Sequence, residues 1–268
     1  MKWSQRLRVK PGHKVRLADR DTNWTGDFTD KDDARDALTA NVARMAELQN
    51  LLYAQRKYAL LIVLQGMDAS GKDGMIRHVM SGLNPQSCFV ESFKQPTTDE
   101  LGHDFLWRIH SAVPARGEIG IFNRSHYEDV LVVRVHDLVP RPVWKQRYDQ
   151  IKAFEKILAQ NDTVILKFFL HTSREEQRAR LQERLDDPTK RWKVAPSDFA
   201  ERKFWGAYRE AYEEALTRCS TPDAPWFVIP ADHKWFRNWA VSQVIVETLE
   251  RLKMKFPKPV FTGREKLE

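Results

Sequence analysis

Apolar and polar positions along this chain follow two different periods. Five short runs are predominantly apolar at consecutive positions, over 58–65, 88–93, 118–122, 163–170 and 226–230. Between them, Ala, Leu, Ile and Met recur every three or four residues, which is the helical period. That spacing predicts helices over 30–57, 72–82, 98–112, from 127, over 142–161 and 173–187, from 196 to 217 and over 234–254. Thr29 or Asp30 is placed to cap the first of them. A strand with one face in water alternates apolar with polar residues, so runs without alternation are covered on both faces. Five such strands separated by helices predict an α/β protein, a parallel sheet sandwiched between helical layers. Ligands of such sheets lie beyond the carboxyl ends of the strands. No stretch of the 268 residues reads as an interdomain linker, a repeat or a low-complexity tract. A single domain over 1–268 is expected, opened by a helical arm over 1–57.

The first apolar run leads into Gly66-Met67-Asp68-Ala69-Ser70-Gly71-Lys72-Asp73-Gly74. A buried strand, then GxxxxGK, then a helix starting near Lys72 places backbone N–H groups and a helix N-terminus around an anion, with the lysine as a mobile cation. Two residues depart from the ordinary version. Asp73 stands where a Ser or Thr usually holds Mg²⁺, and Asp68 lies inside the loop where phosphate oxygens would crowd it. At ~4 Å and an effective dielectric near ~20, each like-charge pair costs about 4 kcal/mol, so Asp68 implies a divalent cation between it and the phosphates.

The run over 118–122 ends in Asn123-Arg124-Ser125-His126-Tyr127-Glu128-Asp129. In nucleoside-triphosphate enzymes such a strand usually closes with a metal-holding Asp. Asn123 occupies that place, so the metal must lean on Asp68 with help from Glu128; the plainer reading of Glu128 is a solvated acid at a helix start. Arg124, directly after the strand, is placed to fork onto phosphoryl oxygens. A third basic cluster joins Arg178, Arg180 and Arg184 to Lys190-Arg191-Trp192-Lys193. Arg180 and Arg184 share a helical face and Pro188 ends that helix. This suits a lid over 174–200 that closes cations over a transferred phosphoryl group. The plainer reading pairs these arginines with Glu176 and Glu183.

Composition adds a bias towards anionic partners, with 44 Lys and Arg against 37 Asp and Glu, a net charge of +7. Cys88 and Cys219 form no ligand-spaced cluster, and the histidines show no metal-site spacing. The start lacks the apolar core of a signal peptide, and no apolar run approaches a membrane span, so a cytoplasmic protein without membrane partners is expected. Trp205, Trp235, Phe236 and Trp239 read most simply as core, with base stacking by one of them as the alternative. A nucleic-acid-binding module lacks a recognition motif here, and an acid in the phosphate cradle argues against it. An ATP-using kinase of a small metabolite or nucleotide stays open, because a phosphate loop does not declare its donor.

Four segments together, GMDASGKDG over 66–74, FNRSHYEDVLVVRVH over 122–136, DDPTKRWKVAPSDF over 186–199 and ADHKWFRNWA over 231–240, resemble the second family of polyphosphate kinases. The resemblance runs from about residue 15 to about residue 255. It implies a P-loop kinase fold with a helical lid and transfer of the terminal phosphoryl group of inorganic polyphosphate to ADP or AMP, reversibly. Mg²⁺ is the implied cofactor, with Mn²⁺ as a substitute, and the implied assembly is a homo-oligomer, dimer or tetramer. Asn123 and Glu128 stand where the diphosphate-specific branch carries Asp and Asn, which points to AMP as well as ADP. The candidate catalytic residues are Asp68, Lys72, Arg124 and Arg184. Candidate nucleotide contacts are Asn123, Glu128, Arg180, Lys190 and Lys193. Ala69, Ser70, Gly71, Lys72 and Asp73 of the loop, with Arg77, Lys94 and Arg134, are the candidates for the phosphate chain. Asp68 and Glu128 are the candidate metal ligands.

Overall fold

A computed structural model of the chain describes residues 2–259. Its sheet has five parallel strands, β1 (Ala59–Gly66), β2 (Cys88–Ser92), β3 (Ile119–Asn123), β4 (Thr163–His171) and β5 (Trp226–Pro230), in the order β2-β3-β1-β4-β5. The helices are α1 (Trp3–Leu7), α2 (Lys31–Gln55), α3 (Lys72–Val79), α4 (Thr98–Leu101), α5 (Trp107–Ser111), α6 (Val132–Val135), α7 (Arg141–Gln160), α8 (Arg174–Asp186), α9 (Pro196–Glu201), α10 (Trp205–Cys219) and α11 (Lys234–Arg251).

Every residue of β1 is buried, and successive side chains of a strand point to opposite faces. Leu60, Ile62 and Leu64 pack with Met45, Leu48 and Leu52 of α2, Met75 and Val79 of α3, and Val241, Val244 and Ile245 of α11. Leu61 and Val63 pack on the other face with Tyr148, Ile151 and Phe154 of α7 and Ala211, Tyr212 and Ala215 of α10. Both faces therefore need apolar residues, which is why the strand shows no alternation. Among the described residues no helix is long and apolar enough to cross a membrane.

Three predicted helices are broken in the structure, the first two where a side chain competes for backbone groups. Over 98–112, Asp104 Oδ1 accepts from Leu106 N at 2.9 Å, so α4 and α5 are separate. From 127, the Ser125 hydroxyl accepts from Tyr127 N, and a 3₁₀ turn over His126–Val130 precedes the short α6. The helix expected from 196 to 217 is α9, a 3₁₀ turn over Arg202–Phe204, and α10.

The sheet order places β1 between β3 and β4, at the point where the chain reverses its direction of travel across the sheet. The register pairs Leu64 with Asn123 and Gly66 with Leu170. The carboxyl ends of the three central strands thus open on the same edge of the sheet, where a ligand of this architecture sits.

Candidate active site

The loop after β1 turns through left-handed backbone at Ala69 (φ 58°) and Gly71 (φ 94°). Gly71 is the N-cap of α3 and offers no side chain, which leaves the first-turn N–H groups of that helix turned towards the cleft. A Cβ on Gly71 would lie 1.9 Å from Arg237 Nη1, so this glycine is demanded by packing as well as by φ. Arg237 is 2 % exposed and donates to the Ser70 carbonyl at 3.1 Å and to Asn238 Oδ1. Burial and the neighbouring Arg180 lower its pKa, and these hydrogen bonds offset part of the cost.

Lys72 folds back over the loop and donates to the Gly66 carbonyl at 2.9 Å. Burial and the Arg124 charge push its pKa down, against the pull of Asp68, Glu128 and Asp73. Arg124, held at φ 65°, reaches across from the end of β3 to Asp68 Oδ1 at 3.2 Å. Its own burial disfavours the charge, but Glu128 and Asp68 outweigh that and raise its pKa. Asn123 Nδ2 donates to Asp73 Oδ1 at 2.8 Å. The two loop carboxylates are therefore each matched to one residue at the end of β3.

A cleft of about 1150 Å³ spreads from this loop. Asp68, Ala69, Gly71, Lys72, Asp73, Arg77, Lys94, Asn123, Arg124, Arg184, Lys190 and Lys193 all line it. Lys190 is held by Glu183 at 2.8 Å and Asp187 at 2.9 Å, and Lys193 lies over the Trp192 ring. Arg184 makes no ion pair among the described residues and faces the same space. Ser70 is 1 % exposed and its hydroxyl has no partner, so its share of the cradle is backbone.

Two residues assigned to ligands from the sequence have other work. Arg180 lines the cleft but is buried, and its guanidinium donates to the carbonyls of Ala69, Ser70, Ala231 and Asp232 and to Glu176. It braces the loop from behind, and no donor is left for a nucleotide, whereas the pairing with Glu176 is the plainer reading given above. Arg134 is absent from the cleft: it bonds Glu214 at 2.6 Å and lies over the Trp144 ring. It joins α6 to α7 and α10, so it does not belong to a phosphate channel.

Glu128 does not line the main cleft. It accepts from Gln65 Nε2 at 3.1 Å, and Gln65 in turn accepts from the Tyr212 hydroxyl at 3.2 Å. Among the described residues no group of three or more His, Cys, Asp and Glu side chains gathers for a metal. One or two carboxylates beside substrate phosphates is the usual protein contribution to a Mg²⁺ site; of the two candidate ligands Asp68 lines the cleft, whereas Glu128 is turned to Gln65.

Sequence reading missed Arg237, Gln177, whose amide donates to the Asp68 carbonyl at 2.9 Å, and the cleft-lining Lys31, Arg35 and Lys234; Trp235, read as core, lines the cleft as well. Of these, Arg237 and Lys234 carried a signal, since both lie in the segment over 231–240 that bears the family resemblance.

The sequence matches the profile of the family described as Polyphosphate kinase 2 over residues 28–257. The chain belongs to that family. An AMP/ADP-polyphosphate phosphotransferase of Meiothermus ruber is 52 % identical over 98 % of each chain. An ADP-polyphosphate phosphotransferase of Rhodopseudomonas palustris is 45 % identical over 98 % of this chain and 96 % of its own. The crystal structure of a Polyphosphate Kinase 2 from Arthrobacter aurescens superposes with a TM-score of 0.94 at 42 % identity, covering 97 % of this chain and 93 % of that one. The P-loop kinase fold expected from the four motifs is thereby established for this member of the polyphosphate kinase 2 family.

Proposed function

We propose that this protein transfers the terminal phosphoryl group of inorganic polyphosphate to ADP and AMP, forming ATP and ADP reversibly and so regenerating ATP. The carrying observation is the Asp68–Arg124 pair at the mouth of an anion cradle, inside a cleft whose lining carries twelve Lys and Arg against five Asp and Glu. Full-length relatives named for transfer between polyphosphate and AMP or ADP support the same reading.

Loose phosphoryl transfer needs positioning and charge neutralisation more than covalent help. The loop amides and Lys72 would bind phosphoryl oxygens, with Lys72 exchanging its hold on the Gly66 carbonyl for the substrate. Arg124 and Arg184 would cover the migrating group from opposite sides. The attacking nucleotide phosphate is already an anion, so no strong general base is required. Mg²⁺, held by Asp68 with Glu128 nearby, would supply charge neutralisation between phosphates when bound. Lys190 and Lys193 in the segment over 174–200 would close as a lid over the nucleotide, and Arg77 and Lys94 would follow the phosphate chain. A cytoplasmic homo-oligomer without nucleic-acid or membrane partners completes the proposal.

Purified protein with Mg²⁺, polyphosphate and either ADP or AMP is expected to form ATP or ADP. No product from either acceptor, with turnover of a small acceptor by ATP instead, would replace this reading by that of an ATP-dependent kinase. Light scattering on the eluting protein tests the assembly.

A further inference from the structure

A second cavity, of about 300 Å³, lies on the opposite flank of the phosphate loop. Met67 lines it, while its neighbour Asp68 lines the main cleft. The cavity is framed by residues 17–22, the end of β4, the start of α8 and the first turns of α10. Met67, Phe169 and Trp205 give it apolar and aromatic walls, and its charged lining is Arg20, Arg174 and Arg209 against Glu175 alone.

Among the described residues the side chains of these three arginines make no hydrogen bond. Arg20 and Arg174 enter hydrogen bonds through their backbone carbonyls, and none of the three guanidinium groups is in an ion pair among the described residues. An exposed arginine by itself is ordinarily a solvated surface group, which would suffice for Arg174 and Arg209. It does not suffice for Arg20, which is half-buried and whose pKa is lowered by burial. Beside it, Thr172 is 2 % exposed and its Oγ1 has no partner. Buried hydroxyls are ordinarily hydrogen-bonded, so one without a partner calls for an explanation. Here it stands next to the N-terminus of the 13-residue α8, whose first-turn amides favour negative charge. Gathered cations, a helix N-terminus and an orphan hydroxyl share one chemical complement, an oxyanion with several acceptor oxygens.

We infer that this cavity binds a phosphoryl anion at a site separate from the phosphate loop, with Arg20, Arg174 and Arg209 as its cationic lining and Trp205 as an aromatic wall. The anion would be a stretch of phosphate chain or the phosphate of a nucleotide; that choice of sources rests on the proposed function, whereas the site itself rests on the cavity.

Equilibrium titration of the full chain with inorganic tripolyphosphate, and separately with AMP, tests the site. The background is Lys72→Ala, which weakens the loop. Adding Arg174→Gln and Arg209→Gln, both at exposed positions, should weaken one ligand by at least ~10-fold, the loss expected from one or two charge-assisted hydrogen bonds. Loss of tripolyphosphate binding alone assigns the site to the chain, and loss of AMP binding assigns it to the nucleotide. Arg20→Gln should reproduce the same loss with an unchanged circular dichroism spectrum. Unchanged affinity for both ligands in both variants overturns the inference. Because binding is read directly, this result stands whether or not the protein transfers phosphate from polyphosphate.

Discussion

Asp68 Oδ1 and Arg124 Nη2 lie 3.2 Å apart, joining the inside of the phosphate loop to the end of β3. Each neutralises the other in the free protein, and each is a group that a phosphorylated substrate would engage. Substrate binding must therefore break or share this pair. Asp68→Asn is expected to lower kcat by at least ~10³, and Lys72→Ala to do the same, both with an unchanged circular dichroism spectrum. Initial rates of ATP formation from polyphosphate and ADP check this; a wild-type rate in either variant removes that residue from the mechanism.

Arg180 and Arg184 are one helical turn apart yet differ in what surrounds them. Arg180 is 6 % exposed and donates to four carbonyls and Glu176, so Arg180→Met leaves buried acceptors unpaired. That variant should lose about 3 kcal/mol of stability, read as a shift of the urea midpoint. Arg184→Gln should leave the midpoint unchanged and lower kcat. The reverse pattern would exchange the roles assigned to the two residues.

The contrast between those arginines shows where sequence was sufficient. Strand runs such as 58–65 were legible because both faces of β1 are buried and every position must be apolar. The loop was legible because its spacing and its flanking elements are dictated by the anion it cradles. Which face of α8 turns inward was not, since Arg180 and Arg184 are equivalent in period and only the loop carbonyls facing Arg180 distinguish them. Arg134 was misplaced for a similar reason: its partner Glu214 is 80 residues away along the chain. Arg237 was overlooked because its role depends on the space that Gly71 leaves open.

That space leads to a further expectation. Gly71→Ala would set a methyl group 1.9 Å from Arg237 Nη1 at a φ of 94°. Either Arg237 or the loop must move, and both hold the cradle. Affinity for tripolyphosphate should fall by at least ~10-fold, with a stability loss of about 1–3 kcal/mol from the strained backbone. Normal affinity and midpoint would show that the loop tolerates the shift.

Exchanging Asn123 for Asp would replace an amide donor 2.8 Å from Asp73 by a second carboxylate. Without metal the two anions repel, and with Mg²⁺ they become a shared ligand pair. Asn123→Asp should lower the thermal midpoint in the absence of Mg²⁺ and restore it on titration, with a lower Mg²⁺ concentration for half-maximal activity. A midpoint insensitive to Mg²⁺ would count against a metal near this edge.

Beneath the sheet, Lys167 is fully buried and donates to the Tyr127 hydroxyl at 2.9 Å, to the Cys219 carbonyl at 2.7 Å and to Glu155. Glu155 also accepts from Tyr127 at 2.8 Å and contacts His126 at 3.2 Å, directly behind Arg124 and Ser125. Burial, assisted by Lys167, holds the His126 pKa below its ordinary value against the pull of Glu155. Burial alone would raise Glu155, but Lys167 and His126 outweigh it and hold that carboxyl low. Both folded-state pKa values lie below their unfolded counterparts, so the unfolded chain takes up protons first. The stability that these two groups contribute is full above about pH 6.5 and falls as pH drops through that value for His126, then again below about 4.3 for Glu155. Lys167→Met leaves Glu155 buried without its main partner and should cost about 3–5 kcal/mol at pH 8. It also removes the charge that opposes protonation of His126, so the loss of stability between about pH 7 and 5.5 should be shallower than in the wild type. Urea midpoints across this range decide it: an equal slope in both proteins would mean that Lys167 does not act on His126.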